Sequence, residues 1–481
     1  MAVSLLVLLS GVGSVSARFD ETPVVDVESN EPLCRIVVVD QENGWPVPLV
    51  QLRTNHGVTL VTDNAGVVAF DLPELMNVPT WLAVAGDGYE VAADGFGFRG
   101  VRVTPTEGNT IRIEVTRTLP GKRLGRLTGA GMFAESQRFG EHADWHEQGI
   151  LGCDSVQNVV HNGRLHWGWG DTTLAGYPLG IFHMLGATTE LRPLDSFKPP
   201  MALRFDYVRD DAGQPRGIAK MPGPGPTWLS GYVSLTDREG TEHLGATYVK
   251  IKPPLEVYEA GLCVWNEQAQ AFEQLKVIWR KSPESLEAPP YPNGHPIKWR
   301  DEEGRDWLLF GDPFPALKCP ATYEAWQDVD QWETLQTQET VPVFARRGRD
   351  AVDSDQSDVD VGNDVRAHRG AIAWNGFRQK WVTVFTQVDG KTSRLGEIWY
   401  AEADSPFGPW QNAVHVVTHD HYSFYNPQLH AEFTPDNSPI LLFEATYTRT
   451  FSRTTTPTPR YNYNQILYRL DLDEPAFDFG E

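Results

Sequence analysis

The sequence predicts an all-β chain in which a small β-sandwich precedes a five-bladed β-propeller. Three observations predict it. A strand–turn–strand unit recurs five times between Asp154 and Glu444. No stretch of useful length carries the 3.6-residue apolar period of an amphipathic helix. The 43 Gly, 35 Pro and 11% aromatic residues suit many short strands joined by tight turns. A length of 481 residues exceeds one ordinary domain, so two folded units are expected, at 34–128 and 129–481. Two packed β-sandwiches are the alternative.

The chain starts with an apolar run, Met1 to Leu9, followed by the small-residue cleavage pattern Val15-Ser16-Ala17. That run is too short to span a bilayer, so residues 1–17 read as a signal peptide and 18–33 as an acidic tail. An exported protein, secreted or periplasmic, is expected. A basic segment before the run is missing, and an apolar N-terminal strand is the alternative. No later stretch approaches the apolar length of a transmembrane helix. The net charge of −23 repels phosphate backbones and anionic lipid, which argues against nucleic-acid and membrane-surface partners. Cys34, Cys153, Cys263 and Cys319 form no CxxC pair, so zinc and thioredoxin-type chemistry have no support. Each reads as a buried small hydrophobe, with disulfide pairing left open.

In the first unit, Ile36 to Val39 is a strand, and Gln41 to Gly44 turns the chain. Pro46 to Leu52, Gly57 to Val61 and Val67 to Phe70 follow as strands, with a turn at Asp63 to Gly66. Ile111, Ile113 and Val115 alternate with Arg112, Glu114 and Thr116, the pattern of a half-buried strand. Short strands at this spacing predict a β-sandwich. The stretch Gly44 to Pro48, the Thr62-Asp63…Gly66 turn and the pair Gly88-Tyr89 resemble the carboxypeptidase-regulatory-like, transthyretin-like domain. The resemblance covers residues 34–118 and implies a spacer or stabilising role.

The second unit repeats. Asp154 to Val160 turns at Asn162-Gly163 into Leu165 to Thr172. Leu229 to Tyr232 passes Asp237 to Gly240 and continues as Leu244 to Tyr248. Pro292 to His295 opens a third unit that turns at Asp301 to Gly304 and ends at Asp312. The fourth runs from His368 to Asn375 and from Trp381 to Thr386; the fifth from Tyr425 to His430 and on to Glu444. About 70 residues per unit accommodate a four-stranded blade with insertions.

In such a blade the start of the first strand and the end of the second share one face. That rule gathers Asp154, Asp171, His295, Asp312, His368, Arg369, Asn426, His430 and Glu444 at one mouth, with Trp167, Trp169, Trp374 and Tyr425 nearby. Polar groups beside aromatic faces suit a sugar, whose hydroxyls take hydrogen bonds while its ring lies on an aromatic. Glycoside hydrolysis needs a carboxylic acid to protonate the leaving oxygen and a carboxylate as base or nucleophile. Neighbours must push the two pKa values apart. Asp154 and Asp171 are the candidate pair and Glu444 a third carboxylate. His295, Asp312, His368, Arg369, Trp169, Tyr425, Asn426 and His430 are candidate substrate-binding residues. Turn capping by Asp171 and an ion pair between Glu444 and Arg369 are the structural alternatives.

Two stretches carry a family resemblance. Gly152-Cys153-Asp154 with Gly163-Arg164 and Gly170-Asp171-Thr172 resembles the opening blade of the endo-D-arabinanase group. Gly396-Glu397 through Gly408-Pro409-Trp410 resembles a blade motif of the five-bladed glycoside hydrolases, including families 43 and 117. The resemblance implies Asp154 and Asp171 as catalytic candidates. A Glu-Gly-Pro acid motif of the family 43 kind is missing, which leaves the general acid unassigned. A histidine in that role, as in the family 117 type, would be His295, His368 or His430.

Glu397, on the third strand of its blade, reads as structural. His419 and His421 share a strand face, yet no third ligand stands at useful spacing, so no metal site is expected. The six aspartates from Asp350 to Asp364 read as a solvated acidic loop. A structural Ca²⁺ is the alternative, although Asp358 stands where a calcium loop needs glycine. No other cofactor is expected. The expected activity is hydrolysis of glycosidic bonds in a polysaccharide or oligosaccharide. The alternatives are a polysaccharide lyase using His and Tyr, with Arg369 and His430 on a uronic carboxylate, and a non-catalytic carbohydrate-binding protein.

Overall fold

The computed structural model describes residues 33–344, 364–390 and 393–480. The expected signal peptide, the tail up to residue 32 and the aspartate run from 350 to 363 lie outside the described residues. Among the described residues the one α-helix is Tyr323–Gln327, and no helix is long and apolar enough to cross a membrane. The chain is all-β, as expected.

Residues 34–117 form two four-stranded sheets around one apolar core. Cys34–Asp40 pairs antiparallel with Val67–Phe70 and parallel with Thr110–Arg117. The alternation in Thr110–Arg117 has the expected effect: Ile113 and Val115 are buried, while Arg112, Glu114 and Thr116 are exposed. The second sheet holds Thr59–Val61, Gln51–Thr54, Thr80–Ala85 and Gly100–Val103. Val50, Leu52 and Leu82 from this side meet Ile36, Val38 and Phe70 from the other.

Five larger antiparallel sheets follow in chain order, and each contains one of the five predicted units as a hairpin. Sheet I runs Gln157–His161, Arg164–Trp169, Leu185–Thr189 and Asp206–Tyr207. Sheet II runs Thr227–Thr236, Glu242–Lys252, Glu256–Asn266 and Ala271–Arg280. Sheet III runs Ile297–Arg300, Asp306–Gly311, Pro315–Pro320 and Glu333–Thr334. Sheet IV holds Thr340–Pro342, Asp364–Asn375, Lys380–Gln387, Glu397–Ala403 and Gln411–Thr418. Sheet V holds Ser423–Leu429, Ile440–Thr448 and Asn464–Asp471, and its fourth strand is Lys122–Arg126, from before the expected boundary at 129.

Polar contacts near the first strands pass from sheet to sheet and return to the start. The Gly231 N–H donates to Gln157 Oε1 at 2.9 Å, joining II to I, and to the Gly294 carbonyl at 3.1 Å, joining II to the segment that opens III. The Gly370 N–H donates to Asp312 Oδ1 at 2.8 Å, and Arg369 Nη1 to Asn426 Oδ1 at 3.3 Å. Gln428 Nε2 then donates to Asn158 Oδ1 at 2.9 Å, joining V back to I. Apolar packing follows the same order, with a separate cluster between each neighbouring pair of sheets. The ring of five sheets has the connectivity that a five-bladed propeller requires. The Gly408-Pro409-Trp410 motif serves one of these joints: the Trp410 indole is buried and stacks on Phe314 at 5.2 Å, between sheets III and IV.

Lys122–Arg126 also holds the two-sheet unit. Arg123 donates to the carbonyls of Pro48, Leu49, Gly86 and Asp87. The Asn64 side chain receives the Arg126 N–H and donates to the carbonyls of Arg126 and Met201, each at 2.9 Å. The Arg126 guanidinium is buried among backbone oxygens of Thr128, Leu151 and Arg460, over the rings of Phe133 and Tyr461. Burial lowers its pKa to about 10, so it stays charged at neutral pH. Replacing it with Met removes the donor shared by the carbonyls of Thr128, Leu151 and Arg460. Arg126→Met is expected to cost about 3 kcal/mol or more in urea unfolding at pH 7. Arg300→Met, which breaks the exposed pair to Asp306, is expected to cost less than about 1 kcal/mol. Equal midpoints for the two variants would refute this account of the joint.

Candidate active site

Asp154 lies between the strands Ile150–Cys153 and Gln157–His161, and Asp171 lies between Arg164–Trp169 and Thr172–Leu174. Their backbones are bonded: the Gly170 N–H donates to the Asp154 carbonyl at 2.8 Å, and the Asp154 N–H to the Asp171 carbonyl at 3.3 Å. The two carboxylates are therefore neighbours on one wall of the ring. Two glycines of the motif make this fit. A Cβ on Gly170 would stand 2.1 Å from Asp154 Oδ1, and one on Gly152 would stand 2.1 Å from the Tyr463 carbonyl.

Tyrosines from sheet V surround Asp154. The Tyr425 hydroxyl donates to Asp154 Oδ2, and the Tyr463 hydroxyl donates to the same carboxylate. Asn426 Nδ2 donates to Ser155 Oγ. Ser155, Asn426 and Tyr463 have φ values of 48°, 49° and 60°. Three non-glycine residues in the left-handed region around one carboxylate concentrate backbone strain there. Burial raises the Asp154 pKa against the two phenols. Asp171 is pushed up to about 6 by burial and by the charge of Asp154, while the Trp228 indole N–H, 3.2 Å away, opposes the shift. The pair therefore favours a single negative charge.

Across the ring, Asp312 follows the second strand of sheet III. Its Oδ1 accepts from the Gly370 N–H, and its Oδ2 lies 3.5 Å from Arg369 Nη1. The Asp312 side chain is 21% exposed and the Arg369 side chain 53%, so both reach the mouth. Burial raises Asp312 to about 6 despite Arg369 and the Gly370 N–H. Burial and the Arg369 charge hold His295 down to about 3 and His368 to about 4, so both are neutral at physiological pH.

The structure brings Asp154, Asp171, Tyr425 and Asn426 together at one mouth, with Arg369 linking Asn426 to Asp312. It moves three expected site residues elsewhere. Glu444 is fully buried in the second strand of sheet V and lies 3.0 Å from His430 Nε2, so it cannot meet a substrate. His430 is buried too, between Glu444 and Glu432. It ends its strand, four residues beyond Asn426, or roughly 13 Å along the ring wall at strand rise. It lines a small cavity with Trp374, away from the aspartates. Trp169 belongs to the core between sheets V and I, stacked on Trp167 at 5.7 Å and edge-on to Phe205. Alternation along Arg164–Trp169 sends both indoles inward.

Sequence reasoning missed Tyr463, Trp228 and Ser155. The first two lie outside the repeated hairpin positions, while Ser155 adjoins Asp154 without a chemical signature of its own. Glu397 accepts the Trp399 indole N–H at 3.0 Å and is buried, in keeping with the structural reading. His419 binds Asp87 and Tyr447 at the joint between the units.

No family model and no curated protein matches the chain. Solved structures match at low identity. An exo-1,5-α-L-arabinanase from a bovine ruminal metagenomic library is 12% identical, over 67% of this chain and 94% of that one, with a TM-score of 0.36. An endo-1,5-α-L-arabinanase from Thermotoga petrophila is 11% identical, over 67% and 72%, with a TM-score of 0.38. A family 43 enzyme from Xanthomonas citri, complexed with xylotriose, is 9% identical, over 66% and 86%, with a TM-score of 0.36.

The His430–Glu444 couple gives stability a pH dependence. Burial alone would lower the His430 pKa, but Glu432 and Glu444 raise it to about 9. The folded protein thus holds a proton that the unfolded chain releases near 6.5. This stability is complete below about 6.5 and is lost as pH rises through 9. The buried Glu444 carboxyl is itself raised, which acts in the same direction at lower pH. Wild-type urea midpoints are expected to fall between pH 6.5 and 9, and those of Glu444→Gln to fall less. Parallel curves would contradict the assignment.

Proposed function

We propose that the protein is an exported glycoside hydrolase that cleaves a polysaccharide or oligosaccharide at the mouth of its ring. The observation that carries this reading is the Asp154–Asp171 pair. Two carboxylates share one charge, two phenols orient one of them, and the half-exposed Arg369 lies across from them. Asp154 is the carboxylate that activates the incoming water or attacks the anomeric carbon, and Tyr425 and Tyr463 hold it in place and favour its ionised form against burial. Asp171, raised to about 6 by burial and by Asp154, is the partner that shares the proton of the pair. The exposed Arg369 supplies hydrogen bonds for sugar hydroxyls, and the Asn426 amide positions it. The ring reads as a propeller whose walls carry these groups from separate sheets. The apolar start and the cleavage pattern at Ala17 support export.

A panel of arabinans, xylans, galactans and acidic algal glycans, assayed for new reducing ends, tests the reading. Asp154→Asn is expected to lower turnover by about 10²–10⁴-fold with an unchanged unfolding midpoint. Products that absorb near the ultraviolet edge without new hydrolytic ends would move the reading to a lyase. Glycan binding without turnover would move it to a binding protein.

A further inference from the structure

The carboxylate pair poses a geometric problem. Asp154 and Asp171 are joined through their backbones on one wall, so both face a bound sugar from one direction. Cleavage requires the proton donor and the base or nucleophile to flank the scissile bond. The donor must therefore come from another wall. Glu444 is sealed beneath sheet V, and His295 and His368 are neutral and buried or half-buried.

We propose, resting on the hydrolase reading, that Asp312 is the proton donor and delivers its proton to the glycosidic oxygen from the wall opposite Asp154. Sheet III is separated from sheet I by sheet II on one side and by sheets IV and V on the other, so Asp312 stands across the mouth. Its Oδ1 is occupied by the Gly370 N–H, which leaves Oδ2 to carry the proton. Arg369 is the charged group facing it, and the segment carrying Tyr291 and the neutral His295 packs beside it, with Gly294 against Asp312. Arg369 Nη1, 3.5 Å from Oδ2, stabilises the carboxylate left after transfer. Arg369 also reaches Asn426, next to Tyr425, so one guanidinium links the donor to the segment that holds Asp154.

The step balances. The Asp312 proton passes to the glycosidic oxygen, the bond from that oxygen to the anomeric carbon breaks, and its electron pair stays on the oxygen. Water supplies the new oxygen on carbon, and its proton ends on Asp154. Asp312 loses the proton that Asp154 gains, and solvent exchange resets both.

Leaving-group dependence tests the assignment, because a good leaving group needs no proton. The full chain, Asp312→Asn, Asp312→Ser and Asp171→Asn are assayed on phenyl and 2,4-dinitrophenyl glycosides of arabinose, xylose and galactose. Both Asp312 variants are expected to lose about 10²–10⁴-fold on the phenyl glycoside and less than about 10-fold on the dinitrophenyl one. The fall in kcat/KM above pH about 6 is expected to vanish in the Asp312 variants and to persist in Asp171→Asn. Equal losses on both leaving groups, or an alkaline limb that survives in Asp312→Asn, overturn the proposal and leave the hydrolase reading standing. Absence of wild-type turnover on every glycoside and polysaccharide overturns both.

Discussion

Arg126 is the residue on which most of the architecture converges. It sits on the strand that completes sheet V, so it lies where the ring of sheets closes on itself. A guanidinium without a carboxylate partner in a buried site is unfavourable unless dipoles replace its water. Here the carbonyls of Thr128, Leu151 and Arg460 do so, with the rings of Phe133 and Tyr461 against the guanidinium. Those oxygens belong to separate stretches of chain, and one cation fixes all of them. Asn64 extends the joint by reading both amide directions of Arg126 and the carbonyl of Met201. The two-sheet unit is therefore hydrogen-bonded into the strand that closes the ring.

The same cation reaches towards the chemistry. Leu151 is three residues before Asp154, and Arg460 is three residues before Tyr463, whose hydroxyl donates to that aspartate. Both ends of that hydrogen bond are thus referenced to a single rigid point. Around it, Gly152 and Gly170 allow backbone and carboxylate to approach where a Cβ would collide. Strain at Ser155, Asn426 and Tyr463 is held in place by packing from sheets I and V. Preorganisation of this kind fixes the Asp154 carboxylate in one orientation, and it depends on closure of the whole ring.

Much of this was legible in the sequence because turns and alternation are local. The five hairpins, the parity of Ile113 and Val115, and the adjacency of Asp154 to Asp171 follow from period-two patterns and Asn/Asp-Gly turns. Depth along a strand was not legible. His430 and Glu444 have the residue types of a site, but the first ends its strand and the second sits mid-strand, which buries both as an ion pair. Trp169 shares the parity of Trp167, and the same alternation that identified the strand sends it into the core. Tyr463 and Trp228 were out of reach for a different reason. They arrive from the approach to a third strand and from the neighbouring sheet, and closure alone brings them to Asp154 and Asp171.

The electrostatics of the mouth complete the picture. A chain of net charge −23 gathers three aspartates around one opening, which raises the cost of ionising them together. The histidines at positions 295 and 368 give no relief, because burial and Arg369 keep them neutral. One exposed guanidinium, Arg369, must then balance several carboxylates, and it is shared between Asp312 and the Asn426 segment. With too little positive charge for full ionisation, protons stay on the carboxylates most easily raised, Asp171 and Asp312. Burial raises Asp154 as well, and the two phenols that donate to it oppose that shift. A single arrangement of hydrogen-bond donors thus gives three chemically identical side chains different surroundings, Asp154 and Asp171 on one wall and Asp312 on another.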